Sequence, residues 1–170
     1  NKILPIVFPK IKYFSGYSNT NNYVGSSNYE FYSILREKTT QVHAKRQQKI
    51  SYDYNLNTDT IRYKSKISFN SKIYAQIFNT EKKLTQSGSY KNSSYFRLFP
   101  IVGISSETPF KLKKYNTNLT IQPNLNLTLS PGLSNSDRLS NEDSTNNDFT
   151  LENINLLNRY SGNDKMDNSK

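Results

Sequence analysis

The sequence predicts an all-β fold, an antiparallel meander of long strands. Apolar and polar residues alternate with a period of two along much of the chain, which is the pattern of strands with two different faces. Aromatic residues make up 13% of the chain and are all Tyr or Phe, residue types that favour strands. Asn is frequent between the alternating segments, where it disfavours helices and suits turns.

The first half of the chain predicts two pairs of strands. Residues 10–18 and 28–35 form the first pair, and residues 41–56 and 61–78 form a longer hairpin around a tight turn at residues 57–60 (NTDT). One face of the 61–78 strand is mostly apolar. Its opposite face is polar and carries four cations, which are Arg62, Lys64, Lys66 and Lys72.

The later strands are less uniform. Residues 95–105 are apolar on both faces, and Pro100 within them weakens pairing because it cannot donate a ladder hydrogen bond. Residues 118–130 alternate cleanly and predict a further strand. Connections are predicted to be short at 57–60, longer at 80–92, short at 111–116 and long after Pro131.

Strand length indicates which class of β-protein the sheet is part of. The predicted strands run to roughly 16–18 residues, whereas strands of globular proteins usually have about 3–10. Long strands with one apolar and one polar face, joined by alternately short and long connections, are typical of a large transmembrane outer-membrane β-barrel. We therefore expect barrel strands with short turns over residues 1–131. Residues 132–170 are expected to form a long extracellular or lumen-folded loop, so that the chain is a fragment of a larger barrel domain.

Two other architectures explain the same alternation. A porin or receptor barrel has every one of these features. A soluble basic β-sandwich that packs the apolar stripes inward would leave the cationic face in solvent and bind a polyanion. The net charge of +10 suits such a partner, but the charges are scattered and the longest basic cluster is residues 44–49. Because no dense basic tract points to nucleic acid, we expect no nucleic-acid partner. The positive net charge alternatively reflects the base composition of an AT-rich genome.

Signals for catalysis are weak. The chain has no cysteine, and its one histidine, His43, has no Ser or Cys partner in an informative context. Nucleotide-binding and zinc-protease motifs are absent. Adjacent carboxylates at Glu142 and Asp143 are poor evidence for a cation site. We therefore predict no enzymatic activity, no cofactor and no metal site.

The last third of the chain carries an ordered series of motifs. RLFPIVGISSETPF at residues 97–110 is followed by LTIQPNLNLTLSPG at 119–132, NEDS at 141–144 and LNRYSGNDK at 157–165. This series resembles the LptD family of outer-membrane lipopolysaccharide-assembly proteins, also known as the organic solvent tolerance family. The matching positions of the last two motifs include Asn141, Glu142, Asp143, Asn158, Arg159, Tyr160, Gly162, Asp164 and Lys165.

The resemblance implies a function in the bacterial outer membrane. Such proteins form part of a translocon that receives lipopolysaccharide from the periplasm and inserts it into the outer leaflet. The implied partners are lipopolysaccharide, the plug lipoprotein LptE, the periplasmic bridge protein LptA and the membrane itself. Arg62, Lys64, Lys66 and Lys72 become candidates to face the lumen and lipopolysaccharide. The motif residues are expected to be structural, with Arg159, Asp164 and Lys165 folding the loop into the barrel and Gly162 permitting a turn.

Overall fold

The computed structural model describes residues 4–18, 22–114, 117–132, 135–137, 139–144, 156–160, 162 and 164–166, with backbone alone at 114, 117 and 118. These residues contain eight strands. They are β1 (Ile6–Ser18), β2 (Tyr23–Leu35), β3 (Arg46–Arg62), β4 (Ser65–Leu84), β5 (Tyr90–Glu107), β6 (Phe110–Lys114), β7 (Thr117–Ile121) and β8 (Asn124–Leu129). Within the described part of the chain, no helix has the length and apolar character needed to cross a membrane.

The strands form an antiparallel sheet in the order β1-β2-β3-β4-β5-β8. The remaining two strands, β6 and β7, pair as a separate hairpin inserted between β5 and β8. Every strand of the large sheet therefore lies beside the strand that precedes it, apart from this insertion. The predicted all-β antiparallel meander is confirmed.

The two faces of the large sheet differ in what covers them. Lys49, Tyr74 and Phe99 lie on one face and are completely or almost completely buried, because the described C-terminal residues 139–144, 157 and 164–166 pack there. We call this the covered face. The opposite face, here called the open face, carries Ile77 and Leu98, which are 51% and 52% exposed.

The predicted turn at residues 57–60 is wrong. These residues continue β3, and the chain reverses at Tyr63 and Lys64, which have φ angles of 51° and 66°. A two-residue turn with positive φ at both positions matches the twist of a hairpin. It also sets the register that places Ile50 opposite Ile77, so the apolar residues of both strands share the open face.

Two predicted connections are shorter than expected. The connection predicted at 80–92 narrows to 85–89, because β4 continues to Leu84 and β5 begins at Tyr90. Residues 111–114, predicted as part of a connection, belong to β6. The residues of these segments that were predicted as connections therefore take part in strand pairing.

Two predicted strands also change their bounds. The strand predicted over 118–130 is divided into β7 and β8 at residues 122–123, where Pro123 lacks the N–H that a continuous ladder needs. The strand predicted from residue 41 begins at Arg46, so residues 36–45 form the connection between β2 and β3. That connection contributes to the site described below.

The apolar character of β5 on both faces has a structural cause. Phe99 and Ile101 point to the covered face, where they form a small hydrophobic core with Tyr74 and Met166. Leu157 packs against this core. The alternate residues of β5 lie on the open face. Pro100 pairs opposite Ile73 within a continuous β4–β5 register, while β8 joins β5 only from Val102 onward.

Candidate functional site

Two short C-terminal segments, residues 139–144 and 164–166, lie together on the covered face, and we call them the docked segments. The backbone N–H of Asp164 donates to the Asp143 carboxylate at 2.8 Å, and the N–H of Glu142 donates to the Asp164 carboxylate at 2.7 Å. The N–H of Lys165 donates to Ser144 Oγ at 2.9 Å. The two segments thus satisfy each other's backbone donors although a stretch of chain separates them.

Lys49 of β3 connects the docked segments to the sheet. Its side chain is 0% exposed, and its Nζ lies 2.7 Å from Asp164 Oδ1 and 3.4 Å from Asp143 Oδ2. The hydroxyl of Tyr32 also donates to Asp164 Oδ1, at 3.3 Å. The Lys49 ammonium lies 5.4 Å from the centre of the Phe78 ring, within cation–π range. A buried cation is therefore matched by two carboxylates and two aromatic neighbours.

The Asp164 carboxyl is at the centre of this cluster and is almost fully buried. Burial raises the pKa of Asp164, because the carboxylate loses the solvent that stabilises its charge. The Lys49 ammonium and the Glu142 N–H act in the opposite direction, since both favour the charged form. These two donors therefore offset part of the effect of burial on the pKa of Asp164.

A second buried ion pair joins the docked segments to the β2–β3 connection. The Arg36 guanidinium contacts both carboxylate oxygens of Glu142, with Nη1 2.7 Å from Oε1. The two side chains are only 7% and 3% exposed. Such bidentate pairs fix orientation as well as charge. Glu142 also accepts a hydrogen bond from Ser140 Oγ.

Backbone contacts complete the docking. The N–H of Ser140 donates to Gln47 Oε1 at 2.9 Å, and the N–H of Ala44 donates to Ser140 Oγ at 2.8 Å. Arg97 of β5 donates through Nη1 to the carbonyl of Asp164 at 2.9 Å and through Nε to Gln76 at 2.9 Å. Lys83 of β4 also donates to the carbonyl of Leu139. Four strands and one connection therefore hold the docked segments.

The motif residues predicted from the sequence gather around these segments. Asn141 makes a local turn, accepting from the N–H of Ser144 at 3.1 Å and donating to its carbonyl at 2.6 Å. Asn158 donates to the carbonyl of Gly162 at 3.2 Å. Lys165 Nζ lies 5.9 Å from the centre of the Tyr160 ring. These contacts are local and give this part of the chain its shape.

Gly162 and Arg159 complete the predicted motif set. The φ of Gly162 is outside the left-handed region, so this glycine is needed for a reason other than the expected turn. A Cβ there would overlap both the side chain and the carbonyl of Asp143. Close approach to Asp143 is therefore what requires glycine. Arg159 is half-buried, and its role in folding the loop stays a prediction.

The four predicted lumen-facing cations do not form one cluster. Lys72 lies on the covered face, with Nζ 4.4 Å from the centre of the Tyr74 ring. Lys66 lies on that face as well, nearer the β3–β4 turn, and pairs with Asp59 at 3.0 Å.

The other two cations lie at or beside the β3–β4 turn and not on the covered face. Lys64 is an exposed turn residue, and Arg62 lies opposite Ser65 in the register of the open face. The turn at 63–64 separates residues that a single strand would have aligned. Their contact with lipopolysaccharide stays a prediction.

Sequence reasoning missed the residues of the sheet and of the β2–β3 connection that bind the docked segments or, as Gln76 does, position a residue that binds them. These are Tyr32, Arg36, Gln47, Lys49, Gln76 and Arg97. A signal existed for Arg97, which is the one charged residue in the apolar stretch 95–105. Arg36 and Lys49 had no such signal, because their partners lie 106 and 115 positions away.

Three carboxylates, those of Glu142, Asp143 and Asp164, lie in the cluster, so a metal site has to be considered. Glu142 faces Arg36, whereas Asp143 and Asp164 face Lys49. In the part of the chain that the structure describes, no group of three or more His, Cys, Asp or Glu side chains is arranged to hold a metal ion. The arrangement binds two parts of the chain together.

The docked segments contain the NEDS motif and the end of the LNRYSGNDK motif, so the residues that resemble a known family are those that hold this site together. The family model of LPS transport system D (LptD) matches residues 2–170. The chain belongs to the LptD family. LptD is an outer-membrane family engaged in lipopolysaccharide transport and assembly, and its members are not enzymes. Comparison with curated proteins gives no match.

Proposed function

We propose that this LptD-family chain forms part of the translocon that receives lipopolysaccharide from the periplasm and inserts it into the outer leaflet. The observation that carries the proposal is the docking of the motif segments, by two buried ion pairs, onto the polar face of a sheet whose other face is apolar. Lipopolysaccharide has a charged, sugar-bearing part and an acyl part. The polar face of this sheet suits the charged, sugar-bearing part, and the apolar face suits the acyl part.

Part of the covered face remains accessible beside the docked segments. Lys10 and Lys12 of β1 are about half exposed, and both lie near Glu30, at 3.3 Å and 3.2 Å. Lys66 and Asp59 are likewise about half exposed near the β3–β4 turn. Accessible cations along this face suit an anionic headgroup, because a positive surface raises its local concentration. We also propose LptE and LptA as the partners of the complete translocon, as the family implies.

The alternatives weighed from the sequence are less well supported. A porin or receptor identity is disfavoured by the LptD family match across residues 2–170. A soluble sandwich has to bury the apolar stripes, whereas Phe96 and Leu98 on the open face are 62% and 52% exposed. Neither alternative accounts for motif segments docked on the polar face.

Depletion of the full-length protein tests the proposal. Cells in which its synthesis is switched off are pulse-labelled, and newly made lipopolysaccharide is measured at the cell surface with an impermeant probe. We expect surface delivery to fall while lipopolysaccharide synthesis continues, and a plasmid copy to restore it. Unchanged delivery after the protein has disappeared from the membrane would refute the function.

A further inference from the structure

We propose that a cleft at one end of the large sheet binds a phosphate group carried on a sugar or another polyol. The cleft has a volume of about 430 Å³ and lies between the β2–β3 connection, the end of β4 and the start of β5. We call it the lysine cleft, and its lining residues are Glu37, Lys38, Thr39, Lys45, Lys82 and Tyr90. None of them belongs to the docked segments, and the inference does not rest on the proposed function.

A β-bulge in β4 sends two consecutive lysines to different places. The register of β4 with β5 shifts between Thr80 and Lys83. Lys82 and the residue before it together oppose the single residue Asn92. A bulge of this kind re-aims the side chains around it. Lys83 consequently reaches the covered face, where it donates to the carbonyl of Leu139, whereas Lys82 lines the lysine cleft.

The backbone of Lys82 is held in an unfavourable conformation. Its φ angle is 51°, in the left-handed region that residues other than glycine rarely adopt. Two hydrogen bonds fix it there, because its N–H donates to Asn92 Oδ1 at 2.8 Å and its carbonyl accepts from the N–H of Lys45 at 3.4 Å. Such conformations persist where the surrounding structure enforces them, and they are concentrated at functional sites. The place of Lys82 in the cleft is therefore built into the fold.

The β2–β3 connection fixes the other two lysines. The N–H of Arg36 donates to the carbonyl of Lys45 at 2.8 Å and closes the connection across its base. Within the connection, Thr39 Oγ1 donates to the carbonyl of His43 at 3.1 Å. Lys38 and Lys45 thus line the cleft from a braced backbone. Bracing of this kind favours binding, because less of the chain has to be ordered around a ligand.

The charges of the cleft favour an anion with two negative charges. Its three ammonium groups and one carboxylate leave a net charge of two positive units. In the described part of the chain its three lysines form no ion pair, unlike Lys66, which pairs with Asp59 at 3.0 Å. A terminal phosphate carries roughly two negative charges near neutral pH and presents three acceptor oxygens. It therefore matches both the charge of the cleft and its three lysine donors, whereas a carboxylate carries half that charge.

Tyr90 and Glu37 suit the group that carries the phosphate. The side chain of Tyr90 is 66% exposed, so its ring offers the cleft an apolar surface with a hydroxyl at its tip. The Glu37 carboxylate is an acceptor for hydroxyl donors. A ring or short chain that bears several hydroxyl groups can use both residues. A soluble sugar phosphate and a phosphorylated polyol headgroup share this chemistry.

Protection of lysines from acetylation tests the assignment. Full-length protein in detergent micelles is treated briefly with an acetylating reagent, and the modification of each lysine is measured by mass spectrometry. The probes are glucose 6-phosphate in solution and phosphatidylinositol 4-phosphate in the micelles. Glucose and phosphatidylinositol, which lack the terminal phosphate, are their controls. Exposed Lys64 reports non-specific effects, and buried Lys49 stays unmodified as long as the protein is folded.

We expect at least one phosphorylated probe to slow the acetylation of Lys38, Lys45 and Lys82 several-fold, while its control does not and Lys64 is unaffected. Protection by glucose 6-phosphate would support the site with a soluble ligand. Protection by phosphatidylinositol 4-phosphate alone would support it with a lipid headgroup. Protection of Lys64 to the same extent, or no protection by either phosphorylated probe, would overturn the inference.

Two charge-matched double variants separate binding in the cleft from the general effect of charge. Lys45→Gln with Lys82→Asn removes two cations of the cleft, and Asn tolerates the positive φ of position 82. Lys64→Asn with Lys111→Gln removes two exposed lysines elsewhere, and position 64 also has a positive φ. The phosphorylated probes should no longer protect Lys38 in the first variant and should still protect it in the second. Equal protection of Lys38 in both variants would show that the lysines of the cleft do not act together on a ligand.

Discussion

Lys49 shows how much a single residue contributes to the docked arrangement. Its substitution, Lys49→Met, leaves Asp164 and Asp143 in a buried site without their cation. Removing one partner of a buried ion pair costs about 3–5 kcal/mol. We expect the docked segments to detach from the sheet, and limited proteolysis of the full-length protein in detergent to cut residues 139–166 at least tenfold faster.

The matched control for Lys49→Met is Lys66→Met, which removes an exposed pair with Asp59 on the same face. Exposed pairs contribute about 0–1 kcal/mol, so proteolysis should stay close to that of the unmodified protein. The double variant Lys49→Met with Asp164→Asn should be less damaged than the sum of the single changes, since it removes charge from both sides. Equal proteolysis of the two lysine variants would show that the Lys49 pairs do not hold the segments.

Gly162 gives a steric prediction at the same scale. In Gly162→Ala the added methyl group overlaps Asp143, which is itself held by Lys49 and by the Asp164 N–H. Overpacking of this kind costs about 1–3 kcal/mol. The thermal unfolding midpoint should therefore fall. In the control Gly16→Ala, the nearest atom is 3.5 Å from the new Cβ, so the midpoint should barely change. A midpoint that does not differ between the two variants would contradict the packing described here.

At the scale of elements, alternation was sufficient to predict the strands and insufficient to predict where they end. The face on which Ile50 and Ile77 lie follows from period-two patterning alone. The turn does not, because Tyr63 and Lys64 are unusual residues for positive φ, whereas NTDT has ordinary turn chemistry. Pairing over the full length of β3 and β4 outweighs that local preference.

The open face of β5 provides a prediction for one element. We expect the apolar open face to meet the hydrocarbon of the membrane. Leu98→Arg, within the apolar part of β5, should therefore cost about 2–4 kcal/mol, whereas Ser94→Arg, at the polar end where Ser94 donates to Asn79, should cost about 0–1 kcal/mol. Urea titration of the full-length protein folded into lipid vesicles measures both free energies of unfolding. Equal destabilisation by the two variants would contradict this placement of β5 in the membrane.

At the scale of the whole molecule, the sequence predicted a fold but could not predict how its distant parts meet. The motif residues Glu142 and Asp164 were recognised as a local series. Their partners Arg36 and Lys49 lie far back in the chain, on strand positions that read as ordinary polar sites. Long-range ion pairs depend on register, on the path of the 36–45 connection and on the return of the C-terminal segments. None of these follows from local pattern, so the site emerged only from the assembled sheet.

The docked segments cover part of the polar covered face. If they block a path through the protein, loosening them should let large polar molecules cross the membrane more easily. Arg36→Met leaves Glu142 buried without its cation, so we expect cells that depend on this variant to admit a large polar antibiotic more readily. Adding Glu142→Met removes the orphaned carboxylate and should restore part of the barrier. Arg46→Met, which breaks the exposed pair with Glu81, serves as the control and should leave it intact. Antibiotic susceptibility is compared at equal protein levels in the membrane, alongside surface lipopolysaccharide. Unchanged susceptibility of Arg36→Met cells, in which proteolysis shows the segments released, would mean that docking shapes the protein without closing the polar face.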